Sequence, residues 1–536
     1  MLSPLEIIPS ESTIRIVAPK TVAETVLAEI NGTLENVQSK TIDTRPISSS
    51  PLDPALLAEV ARLTNSLIVP LKSRHDLRVT WINLDTRQPD LEDLSDRVFR
   101  LLLTSQQQYS TPSKLLVYPQ NDRSARFVVE YGKKEKLSWS DRLSSWARLS
   151  APIEAWDKPG PRKNAAKPTP TWGKTLSEDQ FLNEFDKPRD DVPLSTEIAD
   201  SKEPTFSKVS APILPFLKIQ VDPPRESSPE EAEAVPTSTN TAYLWSPETT
   251  TTSAVFGHVL HKQSPRLRQT IFKAPIDNDA YRVLSPVMPP LFQFNPPGWI
   301  RPSYLDSTIT MRFLPTSLRG NKAATMQAPP LELAVTVREP RVGESYVSQI
   351  KHVRAVLGTK VTDVCLPNQA VDFRLTQTVT SELLGHAMKH GAGMTPLQEF
   401  LTKSHLEPQN GKLETPPHLS GLGLPRRFLS GSQHKDGETA VDTSGDELVD
   451  VEYIFAGLEV RHNAETNWDG WKLLYTSIEA GQGGGQRAEL SLEAAPGWDY
   501  QIRRRPGDIS GEAFLDSTYW FAAGVGFSWA ELGLGK

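Results

Sequence analysis

The sequence predicts an α+β protein of several domains: an N-terminal α/β block, a Pro-rich connector and a β-rich C-terminal half. The chain has 536 residues, more than a single hydrophobic core normally serves. Its 45 prolines are above average and its apolar share of 38% is low, which indicates connectors between folded blocks. The hydrophobic pattern also changes along the chain, from alternating strands and helices to strands separated by turn residues.

The N-terminal block, residues 1–150, is predicted from apolar residues that recur first at strand spacing and then at helical spacing. The segment TIRIV alternates like a half-buried strand, and the residues after it keep one apolar helical face. Predicted strands lie at residues 13–17, 77–82, 114–118 and 126–131, and predicted helices at residues 22–30, 52–67, 91–102 and 139–149.

The connector, residues 151–241, is predicted to be a Pro-rich and acidic linker that is largely disordered. Its prolines interrupt both helices and sheet ladders. Residues 222–233 carry five acids against one arginine, and the residues after them are rich in Ser, Thr and Pro. Such a composition buries too little apolar surface to offset the entropy lost on ordering.

The C-terminal half is predicted to be a sandwich or barrel, because short strand patterns alternate with turn residues. It divides into a β-rich domain with a helical segment (242–430), an acidic loop (431–450) and a C-terminal β-rich unit (451–536). Predicted strands lie at residues 253–261, 307–313, 331–338, 353–366, 371–379, 451–462, 470–480, 487–493 and 518–529, and the predicted helix lies within residues 381–405.

Composition limits the compartments and partners that the chain can have. The net charge of −7 means that contact with nucleic acid depends on local basic patches. Cys365 is the single cysteine, which excludes a disulfide framework and suits a reducing compartment or the mitochondrial matrix. The chain contains no run of 18 apolar residues, and residues 1–9 hold no basic residue. Taken alone, these features indicate a cytosolic protein.

Histidine and cysteine positions give no support for a metal or catalytic site. His386 and His390 have the four-residue spacing of zinc ligands on a helix, but Ala387 stands where zinc proteases carry glutamate. His258 and His261 lie in a predicted strand and are expected to be structural. Cys365 lies in an apolar strand pattern, where a thiol is normally an inert small hydrophobe.

Motifs for phosphate binding and hydrolysis are also missing. The glycines of residues 481–485 are followed by Gln-Arg where a phosphate-binding loop has Lys-Ser, so we predict a hairpin loop. No Gly-X-Ser-X-Gly motif occurs, and the paired carboxylates fall in acidic loops. The sequence thus predicts no enzyme, no metal, no cofactor and no small-molecule substrate. A hydrolase in the β-rich half would require convergent carboxylates or histidines in one deep pocket.

Basic residues near aromatic residues are the candidate nucleic-acid contacts. Basic side chains neutralise phosphates and aromatic rings stack on bases, although surface lysines often serve only solubility. Arg503, Arg504 and Arg505 form one such cluster after Trp498 and Tyr500. The residues predicted to contact RNA are Lys72, Arg74, Arg78, Lys133, Lys134 and Lys136.

The order of elements in the N-terminal block resembles KH-type RNA-binding units. Residues 13–30 resemble the end of one unit, and residues 52–103 resemble most of a second. The first unit looks truncated, because the opening helices and the Gly-X-X-Gly backbone clamp would precede residue 13. We therefore expect an upstream extension of the gene to supply these helices and a basic presequence.

Four segments carry the most specific resemblance: FAGLEVRH at residues 455–462, GWKLLYTSIEA at 470–480, RAEL at 487–490 and LRVTWI at 77–82. With these segments the chain resembles the fungal Sls family of mitochondrial regulators. The resemblance implies KH-like repeats, a position on the matrix side of the mitochondrial inner membrane, and coordination of mitochondrial transcripts with membrane-bound translation. The implied partners are mitochondrial mRNA, the mitochondrial translation or transcription machinery, and peripheral contacts with the inner membrane or its proteins.

These expectations are compatible with two functions. The first is a non-enzymatic, RNA-associated regulator. The alternative is a protein-interaction scaffold whose KH-like units do not bind RNA. A continuous positive groove across the N-terminal block would favour RNA, whereas a neutral apolar patch would favour a protein partner.

Overall fold

A computed structural model describes the folded parts of the chain. The described residues are 5–8, 13–48, 51–72, 75–83, 90–107, 113–118, 125–129, 136–151, 217, 245–263, 281–288, 306–316, 328–338, 347–383, 395–408, 410–429, 448–468, 470–494 and 510–524. The predicted linker, apart from residues 151 and 217, and most of the predicted acidic loop lie outside them.

Strands outnumber helices in the described residues. The strands are β1 (Leu5–Ile8), β2 (Thr13–Ile16), β3 (Val37–Asp43), β4 (Leu67–Pro70), β5 (Asp76–Ile82), β6 (Ser113–Val117), β7 (Arg126–Val129), β8 (Trp146–Ser150), β9 (Thr249–Lys262), β10 (Arg282–Pro286), β11 (Asp306–Pro315), β12 (Leu331–Arg338), β13 (Val347–Cys365), β14 (Asp372–Glu382), β15 (His405–Glu407), β16 (Lys412–Glu414), β17 (His418–Pro425), β18 (Leu448–Trp468), β19 (Trp471–Glu479) and β20 (Gln486–Ala494). The helices are α1 (Lys20–Glu35), α2 (Pro54–Thr64), α3 (Leu94–Gln107), α4 (Thr395–Lys403), the single turn α5 (Gly481–Gly484) and α6 (Gly511–Gly524).

Two units precede the large sheet. The first is the antiparallel hairpin β1–β2 followed by α1, a helix in which no residue is buried. The second is an antiparallel sheet in the order β3-β5-β4, with α2 and α3 packed on one of its faces. Its core contains Val60 of α2, Val79 of β5 and Leu102 of α3, all fully buried.

Local sequence explains the ends of α2. Asp53 caps the N-terminus, because its Oδ1 accepts a hydrogen bond from the Ala55 backbone N–H at 3.0 Å. Pro54 occupies the first helical position, where a missing N–H is tolerated. Asn65 ends the helix in the left-handed region at φ 49°.

The large sheet closes on itself and forms an antiparallel barrel. Its strands run in the order β14-β13-β12-β11-β18-β19-β20-β9, and β9 pairs again with β14, so these eight strands form a ring. The remaining strands of the sheet branch from this ring: β6 pairs with β13, β17 with β18, and β8 and β10 with the C-terminal half of β9, while β7 pairs with β8.

The outer face of the ring is apolar and is covered by helices. Phe313 of β11 contacts Phe400 of α4, with ring centroids 5.1 Å apart. On another part of the wall, Trp471 of β19 contacts Phe514 of α6, also at 5.1 Å. These contacts belong to two separate hydrophobic clusters, one under α4 and one under α6. Because side chains alternate along a strand, the neighbours of these aromatic residues face the barrel interior.

Gly257 is required where β10 leaves β9. A Cβ at this position would lie 2.4 Å from the backbone oxygen of Ser285 and 3.1 Å from the Cα of Pro286. Backbone atoms cannot move aside as flexible side chains do, so only glycine permits this approach.

Most of the predicted strands and helices are confirmed, and the second half forms the predicted β-rich structure, here a barrel. Two elements were predicted wrongly. Residues 139–149 are not a helix but a 3-10 turn, Asp141–Leu143, followed by β8. The aromatic-rich segment beginning at residue 518 belongs to α6 and is helical up to Gly524. In addition, β6, β7 and β8 join the large sheet, which therefore extends N-terminal to residue 150.

Candidate nucleic-acid interface and barrel interior

The face of the β3-β5-β4 sheet that α2 and α3 leave free is the first candidate surface. Register places Thr41, Arg78 and Val69 side by side across the three strands, and Ser39, Thr80 and Leu67 form the next row. Arg78 is exposed because it alternates with the buried Leu77 and Val79. We call this surface, with Val37 and Ile82 at its end, the open face.

The predicted RNA contacts fall in two regions of the molecule. Lys72 is exposed in the connection between β4 and β5, and Arg78 lies on the open face. Lys136 lies instead against the barrel, where its Nζ donates a hydrogen bond to the Pro286 carbonyl at 3.3 Å. Burial lowers the pKa of Lys136. Arg74, Lys133 and Lys134 lie outside the described residues.

The two tryptophans near these cations that the structure describes are buried and cannot stack on bases, whereas Tyr131 lies outside the described residues. Trp139 is buried in the core of the second unit with Val98 and Leu102, and its backbone N–H donates to the Gly483 carbonyl at 3.0 Å. Trp81 of β5 points into the same core. Among the described residues, the predicted RNA contacts therefore offer charge for phosphates but no exposed ring beside it.

The second unit also has no glycine clamp. Its sequence contains no glycine between Gly32 and Gly132, so a Gly-X-X-Gly loop is absent. In KH units that loop brings the backbone against four nucleotides. The second unit therefore lacks the loop through which KH units hold the RNA backbone.

Helix α3 joins the second unit to the barrel, which sequence reasoning missed. Arg100 of α3 makes two hydrogen bonds to Glu92, at 2.6 and 2.8 Å, and its guanidinium lies 5.1 Å from the ring centroid of Phe455 on β18. The backbone N–H of Glu92 donates to the Thr415 carbonyl at 3.0 Å. These contacts are typical of a fixed interface, because the charges are paired and one cation lies over an aromatic ring.

The interior of the barrel is lined by charged side chains. Arg461 on β18 and Arg487 on β20 both bond Glu459, with Nη2–Oε distances of 2.6 and 3.0 Å, and Arg487 also bonds Glu489 at 2.7 Å. Burial raises the pKa of Glu459, but Arg312, Arg461 and Arg487 outweigh it and lower the pKa overall. These side chains remain partly accessible although the wall surrounds them.

Charged side chains from strands that are not neighbours in the sheet lie close enough to interact, so they face the interior of the ring. Glu493 on β20 interacts electrostatically with Arg354 on β13, although β9 and β14 separate these strands. Burial raises the pKa of Glu493, and Lys472, whose Nζ lies 4.0 Å away, counteracts this only in part. The barrel therefore has an apolar outside and a polar inside.

A second charged network lies where the ring meets its branch strands. Asp363 of β13 accepts hydrogen bonds from Arg282 Nε at 3.0 Å and Arg374 Nε at 2.6 Å. Asp372 of β14 accepts from Arg148 Nε at 2.9 Å and from the backbone N–H of Val259 at 3.0 Å. These bonds tie β10, β14, β8 and β9 together.

The other residues considered as sites have structural surroundings where they are described. Cys365 is buried, which raises the pKa of its thiol well above the usual range. Burial and Arg282 lower the pKa of His261 to about 3, so its imidazole is neutral. His258 Nε2 lies 3.0 Å from the Ala370 carbonyl. The glycines of α5 connect β19 to β20, as predicted, whereas His386, His390 and the arginines at 503–505 lie outside the described residues.

Neither a metal cluster nor a membrane helix occurs in the part of the chain that the structure describes. No group of three or more metal-ligating side chains comes together there. None of its helices combines the length and the hydropathy that crossing a bilayer requires.

Family models match three parts of the chain. The SLS1 protein C-terminal beta barrel domain matches residues 135–504, which is more than half of the chain. The chain belongs to the SLS1 family. The SLS1 first KH domain matches residues 4–37, the β1–β2–α1 unit, and the SLS1 second KH domain matches residues 41–105, the unit around the open face. A search of curated proteins found no match. The SLS1 KH and barrel domains are not typical enzyme domains.

Proposed function

We propose that this SLS1-family protein is a non-enzymatic, RNA-associated regulator that coordinates mitochondrial transcripts with membrane-bound translation. The observation that carries the proposal is the pair of SLS1 KH domains at residues 4–37 and 41–105, since KH domains are RNA-binding modules. Family membership also supports a place on the matrix side of the mitochondrial inner membrane. The proposed partners are mitochondrial mRNA, the mitochondrial expression machinery, and the inner membrane or its proteins.

The proposed contact with RNA is made through phosphates. Lys72 and Arg78 are exposed, and Arg74 adjoins Lys72 in sequence. The second proposed group is Lys133 and Lys134 with Lys136, whose ammonium also donates to Pro286. The second unit has no glycine clamp, and Trp81 and Trp139 are buried, which favours phosphates over bases as the proposed contacts. Binding of this kind depends steeply on salt and weakly on sequence.

The test is the salt dependence of single-stranded RNA binding by the full chain. Log affinity falls as log salt rises, and each lost phosphate contact makes this slope less steep by about 0.7 for single strands. Replacing Lys72, Arg74 and Arg78 by glutamine should therefore make the slope less steep by roughly 2. It should also weaken binding to all RNA sequences alike. Fluorescence anisotropy at several salt concentrations measures both quantities.

A matched control removes basic residues from elsewhere on the protein. Lys351→Gln combined with Lys360→Gln changes two exposed lysines of β13 and should leave the slope unchanged. The same slope in the triple variant and the wild type would reject the 72–78 contacts. Absence of binding at low salt would reject RNA association altogether and favour the alternative, a protein-interaction scaffold.

One observation favours that alternative for part of the surface. The open face carries four exposed aliphatic side chains and no aromatic residue among its described residues. Exposed apolar side chains are typical of surfaces that contact a protein, whereas nucleic-acid surfaces are basic.

A further inference from the structure

The glycine turn that connects β19 to β20, residues 481–485, contacts the second unit. Gly481 and Gly485 have φ values of 63° and 68°, which glycine adopts readily and which the turn itself requires. Gly483 does not have a positive φ, so its backbone conformation does not require glycine. A Cβ on Gly483 would lie 3.1 Å from Cδ2 of Leu101 on α3 and 3.5 Å from Cδ1 of Trp139. The missing side chain of Gly483 therefore leaves room for the second unit.

Trp139 joins the hydrophobic core of the second unit to the barrel. Its side chain is 3% exposed and lies in that core, although residue 139 is outside the matched KH segment 41–105. Two residues earlier, Leu137 packs with Leu260 of β9 in a hydrophobic cluster of the large sheet. The backbone N–H of Trp139 donates to the Gly483 carbonyl at 3.0 Å. The barrel domain thus contributes a buried tryptophan to the core of the KH unit and holds the backbone of that tryptophan in place.

The residues before α3 make a second line of contact with the barrel domain. Lys403 at the end of α4 lies 3.9 Å from Asp90 through its Nζ and the carboxylate Oδ2. The backbone N–H of Glu92 donates to the carbonyl of Thr415, just after β16. Together with Arg100 over β18 and the glycine turn, these contacts attach the second unit at several separate places. Undocking the unit requires all of them to break.

The second unit is too small to be very stable by itself. Its core lies between one face of the β3-β5-β4 sheet and the helices α2 and α3. A folded chain of roughly 60 residues buries only about 60% of the surface that it exposes when unfolded. Undocking takes Trp139 out of this core, because the residue stays attached to the barrel, and a buried aromatic side chain accounts for roughly 150–250 Å². The remaining core is therefore depleted of one of its largest side chains.

We propose that the glycine turn and Trp139 form the docking site on the barrel for the second KH unit, and that this unit is folded only while it is docked. The KH unit is then an integral part of the barrel domain, although it matches a family model of its own. A ligand on the open face is held at a fixed position relative to the barrel, and it stabilises the docked state. The proposal does not depend on RNA binding, so it is tested without RNA.

Hydrogen exchange of the full chain, measured by mass spectrometry in the absence of nucleic acid, tests this dependence. Strand β5 reports on the second unit, because its strand partners β3 and β4 both belong to that unit, and β12 reports on the barrel. Gly483→Leu places a side chain where Leu101 and Trp139 now lie, so it should accelerate exchange of β5 by roughly tenfold or more and leave β12 unchanged. Gly358→Leu is the matched control and should change neither strand, because Gly358 is exposed on β13 and a Cβ there would meet nothing within 4 Å.

The choice of β5 distinguishes undocking from unfolding. A KH unit that is stable by itself would undock in the Gly483→Leu variant and leave β5 as protected as in the wild type, which overturns the proposal. Equal acceleration of β5 and β12 also overturns it, because the substitution then acts on the barrel and not on the docked unit.

A second substitution tests the contact between the glycine turn and α3. Leu101→Ala removes the side chain nearest to Gly483 and makes room for the new leucine. In the Leu101→Ala background, Gly483→Leu should therefore accelerate β5 by less than about threefold. If leucine at 483 prevents folding, Gly483→Ala replaces it in both comparisons and should accelerate β5 in the same direction, by roughly threefold. An effect of the substitution at 483 that is as large with Leu101→Ala as without it contradicts the docking site, as does an alanine variant with wild-type exchange.

Discussion

The buried carboxylate of Asp363 should be among the most sensitive positions of the barrel. It lies between Arg282 and Arg374, and the side chains of Asp363 and Arg282 are fully buried. Replacing it with alanine leaves two guanidinium groups, one of them without access to water, facing each other without a carboxylate. Breaking a buried ion pair by removing one partner costs about 3–5 kcal/mol. We expect Asp363→Ala to lower the free energy of unfolding by that amount.

Chemical denaturation followed by tryptophan fluorescence measures this effect, because Trp146 and Trp471 are buried in the large sheet and its outer cluster. Glu382→Ala is the matched control. Glu382 pairs with Arg354 at 3.3 Å, but both side chains are partly exposed. Exposed pairs contribute about 0–1 kcal/mol. If Asp363→Ala and Glu382→Ala destabilise the barrel equally, burial does not set the strength of the Asp363 network and the reasoning is wrong.

The pH dependence of the same variant gives an independent check. Burial raises the pKa of Asp363, but Arg374 and Arg282 together outweigh it, so the folded pKa is below the usual value. A lowered pKa stabilises the fold above the unfolded pKa of about 3.8, and this stabilisation is lost as the pH falls through the folded value. Wild type and Asp363→Ala should therefore approach each other in stability below about pH 4.

Two further positions give predictions of the same kind. Gly257→Ala should lower the free energy of unfolding by about 1–3 kcal/mol and the midpoint of thermal unfolding with it, because the new Cβ would lie 2.4 Å from the Ser285 oxygen; an unchanged midpoint would show that β10 can move away from β9. Glu332→Gln should lower the unfolding free energy by about 1–3 kcal/mol at pH 7 and by much less near pH 2, as measured by denaturation across that range. Burial raises the pKa of Glu332, but His352, whose Nε2 lies 3.8 Å from Glu332 Oε1, and the charges of Arg312 and Arg461 lower it to about 2, so its contribution is present above about pH 4.5 and is lost as the pH falls towards 2. An equal loss at both pH values would contradict that assignment.

Sequence patterns predicted individual elements better than they predicted how those elements associate. Alternation predicted β5 and β12 closely, and helical periodicity predicted α2 and α3, because burial on one face is recorded in local spacing. Closure of the ring depends on pairing between β9 and β14, whose paired residues are more than 100 positions apart. A local hydrophobic pattern does not show which distant strands pair, so the sequence could not distinguish a sandwich from a barrel.

The two wrong elements have physical explanations. In α6 the abundance of aromatic residues suggested a strand, but the buried residues Phe514, Leu515, Thr518, Phe521 and Ala522 recur at helical spacing. Counting that spacing from residue 514 would have predicted the helix. In β8, Trp146, Ala147, Arg148 and Leu149 are all buried, so the strand has no polar face and shows no alternation.

The candidate RNA residues were visible in sequence only as charges. Lys136 and Arg78 are both basic residues near a tryptophan, yet Lys136 lies partly buried on the barrel while Arg78 lies on an open sheet face. Which basic residues share a surface depends on tertiary contacts, such as those of Arg100 and Glu92 that attach α3 to the barrel. Composition and local spacing do not predict those contacts, so they do not show which basic residues lie on one surface.

The polar interior of the barrel explains why the SLS1 barrel segments look amphipathic. On β18 and β20, Glu459, Arg461, Arg487 and Glu489 alternate with apolar residues, a pattern normally assigned to a strand with one face in solvent. Here the charged face is directed inward and the apolar face packs under α4 and α6. A one-residue slip in register would move each charge under those helices and each apolar side chain into the interior. Because Glu459 of β18 pairs with Arg487 of β20, such a slip would also separate these two charges from each other.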